Sequence, residues 1–150
     1  MRRIRLAGLA ALLVPAALSA QKPRDFTKLD GCKILTAADV ATATKGKVSS
    51  TAKWEAGDVG CMWVVDAPSG AGMYQLFVYE PDLYQQNWEL LAKGTPVAGP
   101  WSAGSLTVPG PTGDQFVLLV LRRGDLALSV HGVDKDAVMS LAKTALSRLP

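Results

Sequence analysis

The apolar positions of this chain change period at definable points, and each change marks an expected element. Residues 21–34 are polar and mixed and predict an extended lead-in. Thr36 then opens a helix. Thr36-Ala37-Ala38-Asp39 has capping-box spacing, with Asp39 standing for the preferred Glu. Leu35, Val40 and Ala41 form its narrow apolar face, and Gly46 suits the stop. From Lys47 the period shortens to two. Lys47 to Glu55 reads as an exposed strand, Ala56-Gly57-Asp58 as a turn, and Cys61 to Asp66 as a second strand. Alternation puts Cys61, Trp63 and Val65 on one face. Pro68-Ser69-Gly70 turns the chain into a third strand, Met73 to Tyr79.

The second half repeats the order of helix then strands, with no residue-level repeat. Pro81 sits at a helix start, where its missing N–H costs nothing, and Leu83, Tyr84, Trp88, Leu90 and Leu91 share one side up to Gly94. Residues 95–113 hold four Gly and four Pro and predict a long loop with one short strand near Ser105 to Val108. Gln115 to Leu121 is continuously apolar after its first residue, which predicts a central strand covered on both faces. Arg122-Arg123-Gly124-Asp125 reads as a hairpin turn. Leu126, Leu128 and Val130 then point inward, while Ala127, Ser129 and His131 face the other way. Asp134 caps a last helix with an apolar stripe of Val138, Leu141, Ala142, Ala145 and Leu149. The expected fold is α+β: a mainly antiparallel sheet of five to six strands packed against two to three helices, with one disulfide.

Residues 1–20 change the address. Arg2, Arg3 and Arg5 precede an apolar run from Leu6 to Leu18, and Ser19 and Ala20 are small. This is the form of a secretory signal peptide, too short for a membrane span of about 20 residues. Residues 21–150 are then expected as a single exported domain, periplasmic or extracellular. Leu18-Ser19-Ala20 resembles the end of a lipoprotein signal, but Gln21 follows and cannot take a thioether lipid, so no membrane anchor is expected after processing. The formal charge of +3 comes from 16 basic and 13 acidic residues. The three leader arginines account for the whole excess. A neutral mature chain removes the electrostatic case for a nucleic-acid partner. Hydrophobic content of 49% with 19% charged residues excludes a disordered chain.

Cys32 and Cys61 both lie in the exported part, and an even count in an oxidising compartment favours a disulfide. The loop of about 30 residues would contribute on the order of 3–4 kcal/mol. A structural staple is preferred to a redox pair, because the close Cys-x-x-Cys spacing is missing. Two distant cysteines and one histidine do not make a four-ligand metal site.

Catalytic patterns are weak. His131 is the single histidine; Ser129 and Asp134 are its sequence neighbours, too close along the chain to approach the imidazole from three directions. Asp134-Lys135-Asp136 starts like a calcium loop, but Met139 stands where the glycine belongs. Glu80 and Asp82 flank Pro81 at a strand-to-helix junction, where acids favour the helix N-terminus. No phosphate-binding glycine loop is present, and no cofactor is implied. Trp63 is expected in the core. Trp101, in the Gly/Pro-rich loop, either packs its own loop or, with Tyr84, contacts a small apolar ligand or a partner protein.

Cys32-Lys33-Ile34-Leu35-Thr36, Val40 and Cys61-Met62-Trp63 form a pattern with the ending Gly124-Asp125 through Val130 and the helix bearing Leu141-Ala142 and Leu146. Over roughly residues 30–149 it resembles small exported bacterial domains, many of them lipoproteins of unknown function. These are similar to the extracellular sensor domain of certain bacterial receptor kinases. The resemblance implies paired cysteines and an antiparallel sheet against helices, and it brings no catalytic residue. The chain departs from it in lacking the lipid-bearing cysteine, and Gly99-Pro100-Trp101-Ser102-Ala103 matches the Gly-rich loop imperfectly. The functional expectation is an exported, non-enzymatic binding or sensing domain for a small apolar ligand or an envelope protein. One alternative is an extracytoplasmic inhibitor of a hydrolase acting through the 95–113 loop. An enzyme built from scattered acids is the third.

Overall fold

Asp30 starts the architecture by accepting the backbone N–H of Cys32 at 3.0 Å, which caps a four-residue helix, α1 (Gly31–Ile34). A computed structural model describes residues 28–54, 59–80, 94–107, 116–122 and 126–149. The expected leader, the Ala56-Gly57-Asp58 turn, the Pro81 helix with Tyr84 and the centre of the Arg122–Asp125 turn lie outside the described residues. Helix α1 replaces the end of the expected extended lead-in.

Leu35 links α1 to α2 (Ala37–Thr44), where the expected capping box is complete. The Thr36 hydroxyl accepts the Asp39 N–H at 3.3 Å, and the Asp39 carboxylate accepts the Thr36 N–H at 2.8 Å. The stop differs from expectation. Lys45, not Gly46, takes the left-handed conformation, with φ 53°. Gly46 is needed for space instead, because a Cβ there would lie 2.6 Å from the Asp66 carbonyl oxygen.

Three strands follow in a meander: β1 (Lys47–Lys53), β2 (Val59–Ala67) and β3 (Gly70–Tyr79). The Gly/Pro-rich stretch supplies β4 (Thr95–Pro96) and β5 (Ala103–Thr107). The chain ends with β6 (Phe116–Arg122), β7 (Leu126–Gly132) and α3 (Lys135–Arg148). All pairings are antiparallel, in the order β1-β2-β3-β7-β6-β5-β4. The seven strands among the described residues exceed the expected five to six. Strand β4 escapes a periodicity reading because two residues have no period; only its pairing with β5 defines it.

The three described helices pack on one face. Cys61, Trp63 and Val65 of β2, Tyr74, Leu76 and Val78 of β3, Leu128 and Val130 of β7, and Leu118 and Val120 of β6 are buried there. Val138, Leu141, Ala142 and Ala145 of α3 close the layer. Burying each large aliphatic side chain contributes roughly 1.5–3 kcal/mol. Leu118, Leu119 and Val120 are all buried, as a strand covered on both sides requires.

Besides the 3.5 Å ion pair of Lys53 with Asp30, two ties hold the N-terminal helices. The first is the Cys32–Cys61 disulfide, with Cα atoms 5.0 Å apart. It forms where α1 presses on β2 so closely that a Cβ on Gly31 would sit 2.6 Å from the Gly60 carbonyl carbon. The second is Arg148, at the end of α3. It grips the Asp39 carboxylate with both terminal nitrogens and donates to the Ile34 carbonyl at 3.1 Å. That hydrogen-bonded guanidinium holds the Asp39 carboxyl well below the usual carboxylate range.

Both sheet edges are blunted. Strand β1 carries a register shift between Val48 and Ser50 and a lysine at each end. Strand β4 is two residues long and contains Pro96.

Candidate functional site

Alternation that sends Cys61, Trp63 and Val65 to the helices sends their neighbours to the opposite sheet face. Register then sets the rows. Met62, Gln75, His131 and Val117 lie side by side across β2, β3, β7 and β6. Phe77, Ser129 and Leu119 form the next row.

Phe77 is the hub of an aromatic group. Its ring lies over Gly60, where an added Cβ would come within 2.9 Å of Phe77 Cδ1. Trp54 meets it edge-on at 5.3 Å, His131 edge-on at 5.5 Å, and Tyr79 stacks beside it at 6.2 Å. Such pairs contribute about 0.5–1.5 kcal/mol each beyond simple burial. Trp54, Phe77, Tyr79 and His131 all stay partly exposed.

Polar groups run through this cluster. The Tyr79 hydroxyl is 3.2 Å from Ser129 Oγ, which is 3.1 Å from His131 Nε2. The chain of hydrogen bonds can run in either direction, according to the histidine tautomer. Burial lowers the His131 pKa to about 4, so the ring is neutral at ordinary pH. Ser129 is only 2% exposed, and its hydroxyl is shared between tyrosine and histidine. A nucleophile needs an open approach, which this conformation does not offer. Asp134 does not join the pair: its carboxylate accepts the Ala137 N–H at 2.7 Å as the cap of α3.

The structure also places Trp101. Its indole N–H donates to the Val97 carbonyl at 2.9 Å, and Val97 N–H donates to Gly104 O at 3.0 Å. The ring fills the space a Cβ would need on Gly99 or Gly104. Trp101 therefore packs its own hairpin loop between β4 and β5. An open cleft of about 470 Å³ adjoins this loop, lined among the described residues by Gly94, Pro96, Val97, Ala98 and Ser102 to Ser105. Tyr84 lies outside the described residues, so its expected meeting with Trp101 is not seen. Among the described residues no group of three or more His, Cys, Asp or Glu side chains could hold a metal ion. No described helix is long and apolar enough to cross a membrane.

Sequence reasoning singled out Ser129 and His131 only as members, with Asp134, of a poor catalytic set and gave Phe77 and Tyr79 no role. The alternation of Met73 to Tyr79 carries a signal: its outward set is a thioether, a carboxamide and two aromatic rings, with no charged residue.

No protein-family model matches the chain, and no curated protein matches it. Among solved structures it is similar to the crystal structure of a GTP binding regulator from Thermotoga maritima. The identity is 16%, the TM-score 0.41, and the match covers 77% of this chain and 88% of that one. A likeness of that strength says nothing about function.

Proposed function

We propose that this chain is an exported, non-enzymatic domain that binds or senses a small apolar ligand or an envelope protein. The observation that carries the reading is the Cys32–Cys61 bond, which joins α1 to the buried face of β2. Such a bond persists in oxidising compartments, in keeping with the leader-like residues 1–20. Support for binding comes from the partly exposed cluster of Trp54, Phe77 and Tyr79, an apolar surface with hydroxyl and imidazole groups set into it.

The test is native mass spectrometry of the protein purified from its own cell envelope. The expected species has lost the leader, carries the disulfide and retains a bound component. A retained leader or two free thiols would end the export reading; a bare chain at every extraction condition would end the binding reading.

The hairpin loop favours a second reading, a hydrolase inhibitor. Ala98, Gly99 and Pro100 are exposed on a loop that Trp101 pins from within. Inhibitors of this kind present a loop held in its bound shape. In this reading Trp101→Ala abolishes capture of an envelope hydrolase in a pull-down. Unchanged capture removes the loop from consideration.

A further inference from the structure

The chain has four methionines. Met139 packs against the core from α3. Met62 and Met73 sit together on the sheet face opposite the helices, where Met73 is 37% exposed. They lie on adjacent strands and are diagonal neighbours, since Met62 pairs with Gln75 and Met73 with Val64. Between them lies one carboxamide. Gln75 Nε2 donates to Met73 Sδ at 3.1 Å and to Met62 Sδ at 3.6 Å.

Two soft lone-pair donors thus converge on one point, which the positive end of an amide dipole occupies. A cation at that point would meet both sulfurs. Swinging the Gln75 carboxamide aside clears that point, and turning it by half a revolution presents its oxygen to the point as a third donor. Thioether sulfur selects soft ions such as Cu(I), whereas Mg²⁺ and Ca²⁺ require sets of oxygen donors. Methionine has three rotatable bonds, so both sulfurs can close to the ~2.3 Å of a metal–sulfur bond.

We propose that Met62 Sδ, Met73 Sδ and Gln75 Oε1 form a binding site for a soft monovalent metal ion of the Cu(I) and Ag(I) class. No change of oxidation state is involved; the ion exchanges its solvent ligands for the protein donors. His131 stands opposite Gln75 on the neighbouring strand β7 but is engaged with Ser129, so it is not counted among the ligands. The site goes beyond the proposed export and ligand binding and depends on neither.

The test is a titration of the full-length chain, labelled with ¹³C-methyl methionine, with silver nitrate in chloride-free buffer. The methyl signals of Met62 and Met73 should shift together and saturate at one equivalent, while that of Met139 stays in place. Met62→Leu and Met73→Leu keep the side-chain volume and should each weaken binding at least tenfold. Gln75→Leu should weaken it severalfold, and His131→Asn should leave it within twofold. Equal shifts of all methionines, no saturation, or unchanged affinity in both leucine variants would overturn the site. Loss of binding in His131→Asn alone would move the metal to the histidine and refute this ligand set.

Discussion

Reducing the Cys32–Cys61 bond tests the architecture most directly. The two cysteines are 29 residues apart, and β1 lies within the loop they close. Freeing such a loop in the unfolded chain increases its entropy by an amount equivalent to about 3.5 kcal/mol. For a domain of this size that corresponds to a Tm drop of roughly 10–15 °C. The assay is thermal and urea unfolding followed by circular dichroism, with and without a phosphine reductant, on otherwise identical protein. Using reduced wild type isolates the cross-link. A Cys32→Ala/Cys61→Ala variant would add the loss of a buried sulfur, since Cys61 is 1% exposed. The double variant should therefore be less stable than the reduced protein. A loss below about 1 kcal/mol on reduction would refute the loop-closure reasoning. It would mean that α1 is held by its contact with β2 and by Arg148, without help from the sulfur bridge.

Three further outcomes are expected. Gly31→Ala should destabilise by about 1–3 kcal/mol in urea unfolding, because the new methyl meets the backbone of Gly60, which cannot rotate aside; a neutral result would mean that α1 does not sit on β2. His131 has a folded pKa near 4 against about 6.5 when unfolded, so its contribution to stability is present above pH 6.5 and declines as pH falls toward 4. The size is on the order of 3 kcal/mol; His131→Gln should flatten that slope, and an NMR titration placing the ring near 6.5 would contradict its burial. Asp39 acts in a lower window: its carboxyl is held down first by the Arg148 hydrogen bond and also by Thr36, so its contribution is complete above the unfolded carboxylate pKa and is lost as pH falls below it. Asp39→Asn should lower stability at neutral pH and remove part of the acid slope below about pH 4; an unchanged slope would dissociate Asp39 from Arg148.

Elements were legible where side-chain period and end signals agree. Helix α2 has both a capping box and an apolar face, α3 has Asp134 and its stripe, and β2 and β3 alternate cleanly. Helix α1 was hidden because four residues cannot show a period; its stability depends on Asp30 and on Gly60, a partner distant in sequence. The site was half legible. Alternation identifies which residues of β3 face away from the core, but not what they meet. Tyr79 finds Ser129 fifty residues later because β3 pairs with β7, and nothing local encodes that pairing. Trp101 drew attention as an isolated aromatic among glycines. Those glycines are the space its own ring occupies.

The way the sheet terminates bears on how this protein can associate. An outermost strand with an extra residue and cationic ends at one side, and a two-residue, proline-bearing strand at the other, give an incoming chain little to zip onto. Lateral growth into ribbons or fibrils is thereby discouraged at both margins. A mutation that straightens Ser49 into the ladder would be expected to make the molecule sticky before it made it unstable.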